Sequence, residues 1–185
     1  MTGEVVELAR SEMDETLTAL RNELNRVRTG RASTALLDGL YVDYYGARTP
    51  LRQVAGLAAP EPRLLVITPY DRAAMVEIEK AIRTSDLGLN PMNDGKLIRI
   101  PIPELNEERR KELVRHVRKV AEDFRVGVRN HRRDANEMLK HMNKDKQITD
   151  DDLRSAETKV QTLTTEHIDK IDKMLAAKEA EIMEV

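Results

Sequence analysis

This chain of 185 residues has no cysteine, no tryptophan and a single phenylalanine. Without cysteine it can form no disulfide, no thiolate zinc site and no cysteine nucleophile. A core so poor in aromatic residues has to be built from Leu, Ile, Val, Met and Ala. Together with abundant Glu, Lys and Arg, this composition indicates long helices with a charged outer face.

Long apolar segments are also absent. The first residues, MTGEVVELARSEMDE, include several acids and lack the apolar stretch of a signal peptide. No apolar run approaches the ~20 residues that a membrane-spanning helix needs. We therefore expect a cytoplasmic protein, an expectation that the lack of cysteine also fits.

Proline is missing from both ends of the chain, because all seven prolines lie in the segment 31–103. Outside it, apolar residues recur every three or four positions along about 4–29, 106–144 and 149–183. This spacing predicts three long helices, each with one apolar face. One face alone cannot be buried, so we expect the three to pack as a bundle.

Several residues are predicted to begin or end these helices. Gly30 is expected to end the first helix, and Asn106 is expected to cap the second. Thr149, followed three residues later by Asp152, resembles the capping box that opens a helix.

The proline-containing segment has the pattern of a small mixed domain. Three runs rich in Val, Ile, Leu and Tyr predict strands at 40–45, 64–68 and 97–102. Asp71 is expected to cap a helix that buries Ala74, Met75, Ile78 and Ile82. We interpret the stretch Ala58–Arg63, which contains two prolines, as a loop.

The predicted fold class is α+β, with a small β/α/β domain at 31–103 inserted into a three-helix bundle formed by 1–30 and 104–185. Two stretches of chain join the insert to the bundle, and we interpret both as a hinge. The hinge residues are Arg28, Thr29, Gly30 and Arg31 in the first stretch, and Pro101, Ile102, Pro103 and Glu104 in the second.

Charge is distributed unevenly along a chain whose net charge is only −2. The second predicted helix holds ten basic residues and three acids between Arg109 and Arg133, whereas acids outnumber bases from Gln147 onward. At ~100° per residue, most of these bases form a row opposite the apolar face. Three acids cannot neutralise ten bases, so we predict a phosphate-binding surface. The predicted RNA-binding residues are Arg110, Arg118, Arg125, Arg129, Arg132 and Arg133.

No catalytic or metal-binding constellation is found among the remaining residues. The nucleotide-binding motifs GxxxxGK[ST] and GxGxxG and the zinc-protease motif HExxH are absent. His131 and His167 lie on or beside apolar faces and are interpreted as packed between helices. His141 and Asp145 are spaced for a shared metal, but two ligands near a helix end favour a solvated pair. We expect no enzymatic activity, no metal and no cofactor.

Several blocks of sequence resemble those of the bacterial ribosome recycling factor family. The most distinctive is VRNHRRDAN, from Val128 to Asn136, and the others occur in the family's order along essentially the whole chain. These others are RTGRAS, LLDG, YYGARTPLRQ, SDLGLNP and EERRKEL.

The resemblance implies an L-shaped protein with a hinged β/α/β domain, and a function in splitting ribosomes after termination. Its implied partners are the RNA of the large subunit and elongation factor G, whose GTP hydrolysis drives subunit separation. The family's RNA-contacting arginines fall on Arg129, Arg132 and Arg133, and its elbow falls on the two predicted hinge stretches. We expect a monomer that binds no membrane.

Two other classes of function stay open from the residues alone. A different RNA-binding module would use the same arginine row without needing elongation factor G. A hydrolase acting on RNA or peptidyl-tRNA would need a clustered acid–base pair, which the sequence does not offer.

Overall fold

The computed structural model describes residues 1–184 and separates them into two compact units. The first unit comprises Met1–Leu24 and the chain from Lys111 onward, and the second comprises Asn25–Arg110. Every strand of the described residues lies in the second unit, and the regular structure of the first is helical. The α+β class predicted from the sequence is confirmed.

Five helices and six strands follow one another along the chain, with two short 3-10 turns at Thr34–Leu37 and Arg72–Ala74. In order they are α1 (Thr2–Asn25), β1 (Tyr41–Tyr44), β2 (Ala47–Pro50), α2 (Leu51–Val54), β3 (Ala55–Glu61), β4 (Leu64–Pro69), α3 (Met75–Thr84), β5 (Met92–Asn93), β6 (Ile98–Pro101), α4 (Glu107–Lys144) and α5 (Asp150–Met183).

Helices α1, α4 and α5 bury their apolar faces against one another in the first unit, as the periodicity predicts. The wholly apolar positions of this core are Val6, Ala9, Met13, Leu17, Leu20, Leu24, Leu113, Val117, Ala121, Val128, Ala135, Leu139, Ala156, Val160, Leu163, Ile171 and Ile182. Met138 of α4, in contrast, is 44% exposed. It lies one position from Leu139, so the turn of the helix carries its side chain towards solvent.

Polar contacts show the directions of the three helices. The chain of α4 runs antiparallel to α5, because Arg118 contacts Glu179 while Arg132 contacts Gln161. Thr16 of α1 bonds to His131 of α4, at 3.1 Å between Oγ1 and Nε2.

Two of the three helix boundaries predicted from the sequence lie at the predicted capping residues. Asn106 accepts a 2.7 Å hydrogen bond from the backbone N–H of Arg109, and Thr149 and Asp152 form a reciprocal capping box. Helix α1, in contrast, ends at Asn25 and not at Gly30. The apolar spacing in the sequence continues to Val27, which is half-buried. Val27 nevertheless lies beyond the end of α1, in an irregular segment of the chain.

The second unit holds two antiparallel sheets, the β1–β2 hairpin and a four-stranded sheet in the order β3-β4-β6-β5. The hairpin turns through Tyr45 and Gly46, whose φ values of 49° and 81° are those of a tight primed turn. Together with α3, the sheets enclose an apolar core. Its fully buried large side chains are Leu37, Leu51, Leu65, Ile67, Ile78, Ile82, Ile98 and Ile100.

The interpretation of Ala58–Arg63 as a loop was wrong for residues 58–61. Strand β3 continues to Glu61 with a register shift after Ala58. Because β3 is an edge strand, Pro60 can lie in it without costing a ladder hydrogen bond on its outer side. Strands β2 and β5 and the short α2 were also missed.

The predicted helix after Asp71 is present and starts with a 3-10 turn. Asp71 accepts a 2.9 Å hydrogen bond from the N–H of Ala73, and α3 follows at Met75. The inner side chains Ala74, Met75, Ile78 and Ile82 are all buried.

Both stretches of the predicted hinge lie in the second unit. Residues 28–31 have no regular structure, nor do 102–106, whereas Pro101 still belongs to β6. A Cβ built on Gly30 would lie 3.5 Å from Leu105, so the two stretches run side by side. None of the helices within residues 1–184 has the length and apolar content to cross a membrane.

Candidate nucleic-acid interface

The basic residues of interest lie on α4, which spans 38 residues. The apolar face of this helix turns inward against α1 and α5, and its charged side chains are therefore left at the flanks and on the outer side. Arg115 and Arg133 are exposed, whereas Arg129 and Arg132 lie half-buried at the flank.

Two of the predicted RNA-binding arginines are bound to acids of α5. The Nε atom of Arg118 lies 2.6 Å from Oε1 of Glu179, and this hydrogen bond raises the pKa of Arg118. Arg125 donates from Nε and Nη2 to Oδ1 of Asp172, at 2.8 and 2.6 Å. Both therefore point toward α5, and the prediction that they belong to an outward row was wrong for Arg125, whose side chain is only 18% exposed.

Glu122 joins Arg125 to a third predicted residue, Arg129. Its Oε2 atom accepts from Nη1 of Arg125 at 3.0 Å, and its Oε1 atom accepts from Nη1 of Arg129 at 3.1 Å. Hydrogen bonds from Arg125 and then from Arg129 lower the pKa of the Glu122 carboxyl. Glu122 is thus ionised at neutral pH and holds two cations.

Arg132 and Arg133 have no carboxylate partner within residues 1–184. Arg132 reaches the neutral amide oxygen of Gln161 at 3.4 Å, and Arg133 is exposed to solvent. The acids that follow them on the helix, Asp134 and Glu137, form no ion pair with either. This pair of arginines is the part of the row with the least compensation of its charge.

Arg110 is separated from the other predicted residues. It belongs to the second compact unit, at the start of α4, and its Nε atom is buried without a partner in the described chain. Its backbone N–H bonds to the carbonyl of Asn106 at 3.0 Å. The geometry therefore brings Arg129, Arg132 and Arg133 together and leaves Arg110 apart.

Aromatic rings that could stack on bases are missing from this face. All four tyrosines are in the second unit, and the one phenylalanine, Phe124, is half-buried on α4. A surface of guanidinium groups without rings fits the phosphates of folded RNA better than unpaired bases.

Two histidines join α1 to the other helices, as predicted from their places beside the apolar faces. His167 is 2% exposed, with Nε2 at 2.7 Å from Asp14 and Nδ1 at 2.6 Å from the carbonyl of Leu163. The Nδ1 atom of His131 lies 3.2 Å from Oε2 of Glu12. Among the described residues, no group of three acids and histidines is placed to hold a metal ion.

Two acids that compensate the arginine row could not be recognised from the sequence. Asp172 and Glu179 come from α5 and become neighbours of the row only through the antiparallel packing. Glu122 is one of the three acids counted on α4, and its bonds to Arg125 and Arg129 could have been predicted, because residues three and seven positions further along a helix share its face.

Comparison with known proteins gives the same family over nearly all of the chain. The family described as ribosome recycling factor matches residues 20–183. The ribosome-recycling factor of Alkaliphilus metalliredigens is 53% identical over 185 residues, which cover both chains completely.

Two solved structures are similar to the whole chain. A solution structure of a ribosome recycling factor matches with a TM-score of 0.80 and 41% identity, covering 100% of this chain and 98% of the other. The second structure contains the T. thermophilus ribosome recycling factor and E. coli elongation factor G bound to the E. coli post-termination complex. It matches with a TM-score of 0.68 and 47% identity, and the match covers both chains completely.

Proposed function

This chain belongs to the ribosome recycling factor family, and on that basis we propose that it binds the RNA of the large ribosomal subunit through α4 and acts with elongation factor G to split the post-termination complex. The family consists of translation factors and not of enzymes. The related T. thermophilus factor, seen on a post-termination complex with elongation factor G, supports both partners. We place this activity in the cytoplasm and assign it to a monomer.

The observation that carries the RNA contact is the uncompensated pair Arg132 and Arg133. Arg118 and Arg125 are held by acids of α5, but these two arginines have no carboxylate within reach in residues 1–184. A guanidinium without a carboxylate partner keeps most of its donors for phosphate oxygens, and Arg132 uses only one of them, on Gln161. The proposed contacts are therefore centred on Arg129, Arg132 and Arg133, with Arg118, Arg125 and Arg110 in supporting places.

Contacts of this kind position a protein on RNA without reading its sequence. The rest of α4 and the antiparallel α5 give the arginines a rigid support, because both helices are long and share a buried apolar interface. A rod fixed on RNA in this way can transmit a force that acts elsewhere on the molecule.

We propose further that 31–103 works as a domain that moves against the bundle formed by 1–30 and 104–185. The proposed hinge is made of Arg28–Arg31 and Pro101–Glu104. Its support is that most of these residues have no regular structure and that the two stretches run side by side, so they can bend together.

The first test is the binding of large ribosomal subunits over a series of salt concentrations. We expect Arg132→Ala to weaken binding and to lower the slope of log K against log salt by about 1, the value for one lost phosphate contact. Lys159→Ala is the matched control, since it removes one positive charge from α5 and not from the arginine row. Equal affinities and slopes for Arg132→Ala and the wild type would reject the RNA contact.

A recycling assay separates this function from that of another RNA-binding module. Post-termination complexes are mixed with elongation factor G, GTP and the protein, and light scattering reports subunit separation. We expect separation only when both proteins are present. Binding without any separation would leave an RNA-binding module and reject recycling.

A further inference from the structure

We propose that Glu122 and Arg125 are positioning residues that hold the guanidinium of Arg129 ready for RNA phosphate. The proposal rests on the RNA-binding function proposed above and adds residues that do not touch the RNA themselves. It replaces the expectation that Arg125 is a direct contact.

Four side chains of alternating charge form a continuous ladder from α5 to the flank of α4. Asp172 bonds to Arg125, Arg125 bonds to Glu122, and Glu122 bonds to Arg129. We call Asp172, Arg125, Glu122 and Arg129 the charge ladder. All of its links are 3.1 Å or shorter between nitrogen and oxygen, which is within hydrogen-bonding distance.

All three nitrogens of Arg125 already donate to carboxylates. Nε and Nη2 donate to Asp172, and Nη1 donates to Glu122. Its side chain is also 18% exposed, against 40% for Arg129. Because Arg125 is mostly buried and already bound to two carboxylates, its place in the ladder is that of an anchor.

Arg129 is in the opposite situation at the free end of the ladder. Within residues 1–184 only its Nη1 atom is engaged, by Glu122 at 3.1 Å, and a guanidinium carries five N–H donors. The bond to Glu122 restricts a long side chain but leaves most of its donors available. A side chain that is already ordered loses less conformational freedom on binding, and this gain appears as affinity.

Charge alone predicts the opposite effect for Glu122. A carboxylate beside the RNA-binding surface repels phosphate, so its removal should tighten binding. The positioning role predicts that its removal weakens binding, although the protein becomes more positive. The sign of the change therefore separates the two explanations.

The experiment compares Glu122→Ala with Asp123→Ala for binding to large ribosomal subunits. Both substitutions remove one carboxylate from neighbouring positions of α4, and Asp123 forms no side-chain hydrogen bond or ion pair in the described chain. We expect Glu122→Ala to bind about threefold to tenfold more weakly than the wild type, the range for one side chain that must be ordered on binding. Asp123→Ala should bind equally well or slightly more tightly.

A double-mutant cycle with Arg129→Ala tests the route of the effect. In the Arg129→Ala background, Glu122→Ala should cause no further loss, because the side chain that it positions is gone. Glu122→Ala should leave the salt slope close to that of the wild type, because Arg129 still contacts phosphate once it is ordered, whereas Arg129→Ala should lower the slope by about 1. A melting temperature for each variant accounts for stability.

Two results would overturn the positioning role. One is a Glu122→Ala variant that binds as tightly as the wild type or more tightly, and the other is a loss that persists in the Arg129→Ala background. The Arg132→Ala variant separates this failure from that of the proposed function. If Arg132→Ala weakens binding while Glu122→Ala does not, the RNA-binding surface stands and only the ladder's role is rejected.

Discussion

His167 connects α5 to α1 from a position that is almost completely buried. Its two ring nitrogens face the Leu163 carbonyl and the Asp14 carboxylate, at 2.6 and 2.7 Å. Asp14 itself is largely exposed, so only the histidine side of this contact is buried. The residue fills core volume and at the same time bonds to a helix that is distant in sequence.

We expect His167→Ala to lower the free energy of unfolding by about 2 kcal/mol, through lost packing and the lost hydrogen bonds of a buried polar group. His141→Ala is the control, because His141 is exposed near the end of α4 and its side chain has no hydrogen bond in residues 1–184. Urea unfolding followed by circular dichroism measures both variants. Equal stability of the two variants would show that the contact with Asp14 contributes nothing.

The sequence predicted the places of individual residues better than their partners. The position of His167 beside an apolar face was enough to place it between helices. The partner of Arg125 could not be predicted, because Asp172 is distant along the chain and reaches it only when α4 and α5 pack in one particular register. Partners along one helix follow from spacing, whereas partners across helices require the tertiary structure.

The first turn of α5 shows how one element is held in place by its own sequence. Asp152 and Thr149 exchange two hydrogen bonds of 3.1 Å each. Hydrogen bonding to Thr149, above all to its backbone N–H, lowers the pKa of the Asp152 carboxyl below the ordinary aspartate value of 3.8. The ionised form of Asp152 is therefore the form that stabilises the helix.

This pKa shift gives the contribution of Asp152 a defined pH dependence. It is fully present above the ordinary aspartate pKa of 3.8 and is lost as the pH falls through the lowered value in the folded protein. We expect Asp152→Ala to melt at a lower temperature than the wild type at neutral pH, with a difference that shrinks in acid. Asp151→Ala, in which the capping box is intact, should show a smaller difference at neutral pH. Calorimetry over a pH series would contradict this account if the difference for Asp152→Ala were constant.

The long helices were the most predictable elements, and the short strands were the least. Periodic apolar residues over several turns leave little ambiguity for α4 and α5. Strand β3 was missed because Pro60 and Pro62 indicated a loop, and the sequence does not show that the strand lies at an edge of the sheet. Strand β5 is two residues long and has no pattern of its own.

At the scale of the whole molecule, the segment 31–104 is connected in a way that allows its removal. The chain enters near Gly30 and leaves near Leu105, and these two residues are in contact. A short Gly–Ser linker in place of 31–104 should therefore join α1 to α4 without strain.

We expect this shortened protein to bind large ribosomal subunits and to fail in subunit separation with elongation factor G, since the proposed moving domain is missing. Circular dichroism would first verify the helical content of the shortened protein. A further Arg132→Ala substitution in it should weaken binding as it does in the full chain. Normal recycling by the shortened protein would refute a mechanical role for 31–103.

The insertion also has a consequence for the order in which the chain folds. The contacts of α1 with α4 and α5 join residues separated by 115 and 153 positions, as between Thr16 and His131 or Asp14 and His167. During synthesis α1 emerges before α4 and α5, so it cannot bury its apolar face against them until they have followed. The inserted unit has all of its strands within one continuous stretch and can fold before α1 packs against α4 and α5. A nascent chain of this protein therefore exposes the apolar face of α1 until α4 and α5 have been synthesised.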